Sequence, residues 1–200
     1  LKKNYTNINK MLLNEKIDVA FIQPSVHKVY EISKIFIENK INCLIEKPPG
    51  LSVKEAKKLS TLIKKYKIIH AIGLNRRFYS NINLIAKYKK NLGKLYSVNV
   101  EAPEKFDDIK KKKKFTKKDL EKWFITNGIH MIDLMHFLIG SKYYKIYSIS
   151  RKINEKIKNS FNAIIKFRNG VVANYVSNWK TTGGWQIKLY FTKGIVIISP

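Results

Sequence analysis

The chain has 200 residues, long enough for one large domain or two modest ones. At 44% hydrophobic and 12% aromatic it can bury a real core, which excludes a globally disordered chain. Forty Lys and Arg against fourteen Asp and Glu give a formal charge of +26, which points first to an anionic partner.

Only Lys110 to Lys114 forms a continuous basic block, read as an exposed loop, and no zinc-finger or helix-turn-helix pattern accompanies it. The other lysines read as solvated faces, so nucleic acid is the lesser expectation, beside anionic small molecules drawn to a cleft. No apolar run reaches the ~18 residues of a membrane span, so no membrane partner is expected, and no metal site either. The single cysteine, Cys43, lies in an apolar run and reads as a buried hydrophobe of a reducing, cytoplasmic protein.

In chain order, Ile17 to Ile22 is a short apolar, β-branched run ended by Gln23-Pro24-Ser25, a strand and then a turn. His27 to Lys40 repeats apolar residues at helical spacing, and Ile41 to Ile45 is a second strand, stopped by Glu46-Lys47-Pro48. Ser52 with Glu55 three residues on predicts a capping box and a helix to about Tyr66. Ile68 to Leu74 is a third strand, and Phe78 to about Asn91 a further helix. Strands alternating with helices predict right-handed crossovers and a parallel α/β sheet.

After Gly93 the pattern changes. Leu95 to Glu101 alternates as a strand, Pro103 to Lys118 is charged and irregular, and a helix runs from about Gly128 to Ile139. Tyr143 to Ile153, Phe161 to Phe167, Val171 to Ser177 and Trp185 to Thr192 follow as strands, with Gly194 to Ile198 as a last one. Arg168-Asn169-Gly170 supplies hairpin chemistry between two of them. The second part is therefore α+β with an open, mainly antiparallel sheet, and the domains are expected at 1–94 and 95–200.

In open parallel sheets, ligands bind beyond the carboxyl ends of the strands. The ends here are Gln23-Pro24-Ser25-Val26-His27, Glu46-Lys47-Pro48 and Asn75-Arg76-Arg77-Phe78. Their polar character predicts a crevice with Lys47 at its centre. The Lys47–Pro48 bond is a candidate for the cis form. A second cluster is Thr126-Asn127-Gly128-Ile129-His130-Met131-Ile132-Asp133. There Asn127 can cap the helix, and His130 and Asp133, three apart, share one face. An imidazole so placed can serve as general acid or base.

These motifs, with Gly183-Gly184-Trp185, occur in the order and spacing of the Gfo/Idh/MocA oxidoreductases, which the chain resembles from about Asp18 to Ser199. The resemblance implies a partial NAD(P)-binding Rossmann domain, then a substrate-binding and oligomerisation domain. It implies hydride transfer between NAD or NADP and a hydroxyl-bearing carbon of a sugar, most plausibly a nucleotide-activated one. Lys47 and His130 match the family's catalytic lysine and histidine. Pro24, His27, Glu46, Lys47, Pro48, Asn75 and Arg77 fall at its cofactor-contacting positions. Lys47, Asn127, His130, Asp133 and Trp179 fall at its substrate side, although Trp179 reads equally as an aromatic covering the sheet edge. A homo-oligomer joined through the open sheet is also implied.

Two departures stand out. Many members carry an aspartate four residues before the histidine, where this chain has Thr126; a non-catalytic homologue is the alternative this raises. The family's glycine-rich pyrophosphate loop, G-x-G-x-x-G, occurs nowhere in the chain. The resemblance therefore implies an internal piece lacking roughly the first fifty residues of a complete member, the loop included.

Overall fold

The computed structural model describes residues 3–112 and 115–199, the side chains of Ala86 and Lys89 excepted. Lys113 and Lys114 of the basic block lie outside the described residues.

The chain packs as two compact units, Leu1–Gly73 and Leu74–Pro200. The first contains α1 (Ile8–Asn14), β1 (Val19–Ile22), α2 (Val29–Glu38), β2 (Asn42–Ile45), α3 (Val53–Tyr66) and β3 (His70–Ile72). The strands form a parallel sheet in the order β1-β2-β3, with Ile22 opposite Ile45 and Cys43 opposite His70. Its β-branched residues do what such runs do in parallel sheets, alternating with helices that cover them. Ile22 and Ile45 pack with Val29 and Ile37 of α2 and with Leu59 and Ile63 of α3. Ser52 caps α3 by accepting the Glu55 amide at 3.2 Å. The Glu55 carboxylate reaches back to the Leu51 amide at 2.6 Å rather than to Ser52, so the reciprocal capping box expected from the spacing is shifted by one residue.

The second unit contains α4 (Ser80–Leu92), β4 (Leu95–Glu101), α5 (Phe106–Lys111), α6 (Lys117–Glu121), α7 (Ile129–Ile139) and β5 (Tyr143–Arg151). They are followed by β6 (Ser160–Phe167), β7 (Val172–Asn178), β8 (Gln186–Phe191) and β9 (Gly194–Ile198). These six strands form one sheet, β5-β6-β7-β4-β8-β9, antiparallel throughout except for the parallel β4–β7 pair. One face packs on α4 and α7 through Ile82, Ile85, Leu134 and Met135 against Val98, Val100, Ala173 and Leu189. A smaller cluster of Phe106, Ile109 and Trp179 forms beside it.

The division falls after Gly73, whereas sequence reasoning put it at 94/95. The reason is α4, whose Ile82 and Ile85 are buried in the second core. Gly93 ends α4 at φ +80°, a conformation for which glycine is suited. A Cβ there would lie 2.2 Å from Thr192 Oγ1, so the position excludes other residues twice over. The segment read as irregular contains α5 and α6, and Lys110 and Lys111 form the last turn of α5 instead of a loop.

Candidate functional site

The first unit gathers polar residues at the carboxyl ends of its strands. After β1 the chain passes Pro24 into a 3₁₀ turn, Val26–Lys28, where His27 is exposed. After β2 come Glu46 and Lys47, both partly buried, then a cis Lys47–Pro48 bond, as the sequence suggested. The Glu46 amide donates to Ile22 O at 2.9 Å, and the Gly73 amide to Ile45 O at 2.8 Å, so the three strand ends are tied together. A Cβ on Gly73 would come within 3.3 Å of a Glu46 carboxylate oxygen, and glycine there leaves that carboxylate its place. A carboxylate, an ammonium and an imidazole thus stand beyond the carboxyl ends of the strands, where open parallel sheets bind ligands.

The second unit holds a cleft of about 380 Å³, within the usual size of small-molecule sites. It is lined by Arg76, Glu104, Lys105, Asn127, Met131 and Trp185, among others. Arg76 belongs to a 3₁₀ turn, Asn75–Phe78, in which Asn75 is exposed. The Arg76 guanidinium lies over the Trp185 ring, 4.8 Å from its centre, and donates to Met131 Sδ. Burial lowers its pKa from the ordinary value, while Tyr79, Glu104 and Tyr175 act in the other direction. Burial pushes the Tyr175 hydroxyl up to about 12, so this neighbour stays neutral. The π-helical turn Phe124–Gly128 leads into α7 and brings Asn127 to the cleft, where it donates to the Glu104 carboxylate. Such turns are frequent at functional sites because they redirect side chains within a helix. His130 follows in the first turn of α7, partly buried.

Two expectations are corrected here, on Asn127 and on Trp179. Asn127 does not cap α7, because the π-helical turn continues the helical backbone through it and its amide is turned to Glu104. Arg77 and Asp133, expected on cofactor and substrate, are brought together in a bidentate ion pair, and Arg77 also lies over Phe137. Trp179 does not present a face for stacking. It is 3% exposed, packs on Phe106 and Phe161, and donates its indole N–H to Ser177 at 3.1 Å. The aromatic face at the cleft belongs to Trp185; Arg76 and Trp185 stood in the quoted motifs without an assigned role, and Glu104 was not singled out. Among the described residues no cluster of three metal-ligating side chains occurs.

Residues 2–74 match the profile of an oxidoreductase family with an NAD-binding Rossmann fold, and residues 87–197 match the GFO/IDH/MocA C-terminal domain. A glucose-6-phosphate 3-dehydrogenase of Bacillus subtilis is 26% identical over 166 residues, 78% of this chain and 45% of that protein. The crystal structure of myo-inositol 2-dehydrogenase from Lactobacillus plantarum superposes with a TM-score of 0.82 at 22% identity, over 97% of this chain and 61% of that one. A UDP-N-acetylglucosamine 3-dehydrogenase from Acidithiobacillus ferrooxidans gives 0.78 at 18%, over 98% and 61%. The chain thus spans less than half of the curated relative and about three fifths of these structures. With both of its halves matched, the chain belongs to the GFO/IDH/MocA oxidoreductase family.

Proposed function

We propose that the protein is a nicotinamide-dependent dehydrogenase of a sugar derivative carrying phosphate, most simply a nucleotide sugar or a sugar phosphate. The observation that carries this reading is the family match along both halves, with Lys47 closing β2 and His130 opening α7. The names of two relatives, acting on glucose 6-phosphate and UDP-N-acetylglucosamine, favour that substrate class.

NAD or NADP, when bound, supplies the hydride acceptor. Pro24, His27, Glu46, Lys47 and Pro48 at the strand ends are the residues assigned to hold its nicotinamide end. His130 takes the proton of the reacting hydroxyl, and Lys47 stabilises the developing alkoxide by its charge. We assign the protein to the cytoplasm, where a single buried thiol and nicotinamide chemistry are at home. No helix of the described residues is long and apolar enough to cross a membrane. We further propose a homo-oligomer joined through the open face of the six-stranded sheet.

The test is a fluorescence titration with NADH and NADPH, followed by turnover of Lys47→Ala and His130→Ala. Binding of one dinucleotide and a loss of about 10²–10⁴-fold in kcat for each variant are expected, the range of positioned acid–base and electrostatic groups. Thr126, at the position where many relatives have aspartate, motivates a second reading, a non-catalytic homologue. Unchanged biological activity in both variants would establish that reading instead.

A further inference from the structure

We propose that Arg76 is a substrate-recognition residue, taking an anionic group, phosphoryl or carboxylate, of the sugar ligand in the cleft of the second unit. The inference rests on the dehydrogenase reading for the identity of the ligand as a sugar, but its evidence is separate.

A guanidinium withdrawn from water is costly unless an anion meets it. Among the ion pairs of the described residues none involves Arg76, whereas its neighbour Arg77 is paired with Asp133. What holds Arg76 is an aromatic face and a thioether, which fix its plane without neutralising it. Its planar fork of donors matches the oxygens of a phosphate or carboxylate, so a held and unpaired guanidinium is preorganised for such a group. Two carboxylates, Glu104 and Asp108, line the same cleft, but each has another partner. Asn127 donates to Glu104, and Lys111 lies 3.6 Å from Asp108. Lys105 and Lys112 also line the cleft, so three cations face two carboxylates there. Burial lowers the Arg76 pKa more than Tyr79, Glu104 and Tyr175 raise it, and arginine stays charged regardless.

The experiment is calorimetric titration of the full chain, without dinucleotide, using glucose, glucuronate, glucose 6-phosphate and UDP-glucose. At least one anionic probe should bind about tenfold or more tighter than glucose, the scale of a hydrogen bond to a charged group. Arg76→Gln should bring that probe close to glucose while glucose itself is unchanged, and the probe most affected tells ring carboxylate from phosphoryl. Lys188→Ala, remote from the cleft lining, should leave the preference intact. If Arg76→Gln does not fold, Trp185→Leu frees the guanidinium and should weaken the anionic probe several-fold. Equal binding of glucose and all anionic probes, or a preference that survives these cleft substitutions, overturns the proposal. A chain that prefers anions yet takes up neither NADH nor NADPH keeps the Arg76 site and loses the dehydrogenase reading. The opposite pair of results does the reverse.

Discussion

Cys43 shows what a residue's surroundings do to its chemistry. It is 3% exposed, its Sγ lies 3.2 Å from Ile41 O, and burial pushes its pKa to about 11. The thiolate is the reactive form, so at neutral pH the thiol is inert for lack of ionisation as well as of access. Native protein should therefore fail to react with a thiol-specific disulfide reagent at pH 8 and react fully once unfolded in guanidinium. Rapid reaction of the native chain would contradict the burial of β2. That Cys43 is buried was legible from the apolar run around it. Which of Arg76 and Arg77 faces the cleft was not. Adjacent residues in a short 3₁₀ turn point in different directions, and Asp133, whose side chain is 13% exposed, selects Arg77 from α7. Trp179 stayed open for the same reason. An amphipathic indole suits either a sugar face or a buried hydrogen bond, and only the presence of Ser177, Phe106 and Phe161 decides.

At the scale of elements, periodicity was sufficient wherever a segment buries one regular face. β1, β2, α2, α3, α7 and the strands of the larger sheet other than β5 follow from it. It failed for α5 and α6, which are short and dense in charge, and whose helical form depends on what they pack against. α5 is held at one end by Phe106 in the third cluster and along its side by four charges. Lys110 lies 2.8 Å from Asp107 and also pairs with Glu155, and Lys180 lies 3.2 Å from Asp107 and 3.0 Å from Glu155. Hydrogen bonds from Lys110 and Lys180 hold both carboxylates below their usual range, while Glu155 and Asp107 raise both lysines. A carboxylate whose folded pKa is depressed stabilises the fold above its unfolded pKa and loses that contribution as pH falls through the folded value. The lysines, raised, contribute below their unfolded pKa and lose it as pH rises through the folded one. The network's contribution should therefore be level across neutral pH and decline below about pH 5. Urea melts of wild type and Glu155→Gln should differ at pH 7 and converge in acid, and 1 M NaCl should narrow the gap. A difference that is constant with pH and salt would mean Glu155 acts by packing.

For the whole molecule, the charge of +26 and the open sheet bear on one another. Alternation along β4, β6, β7, β8 and β9 buries one face on α4 and α7 and leaves the other to solvent, while β5 is exposed along nearly its whole length. On that open face Tyr147, Ile149 and Ile164 are 50%, 68% and 49% exposed, and Ile195 and Ile197 are exposed as well. Lys145, Lys166 and Lys188 share the face by strand parity, with Asn99, Asn162 and Asn174 between them. Exposed apolar groups of this kind, one on β5 and β6 and one on β9, suit an interaction site. A second copy of the same sheet would cover it, but like-charged lysines would then face each other across the contact. The proposed oligomer should accordingly tighten as salt rises, because screening removes the repulsion while burial of apolar surface persists. Sedimentation velocity at low and high NaCl should show the mass rising with salt. Ile164→Lys, made at an exposed position where the fold tolerates charge, should shift the population to monomer without lowering the melting temperature by more than a few degrees. A chain that is monomeric at every salt concentration, or an oligomer indifferent to Ile164→Lys, would show that the open sheet face is not what joins the subunits.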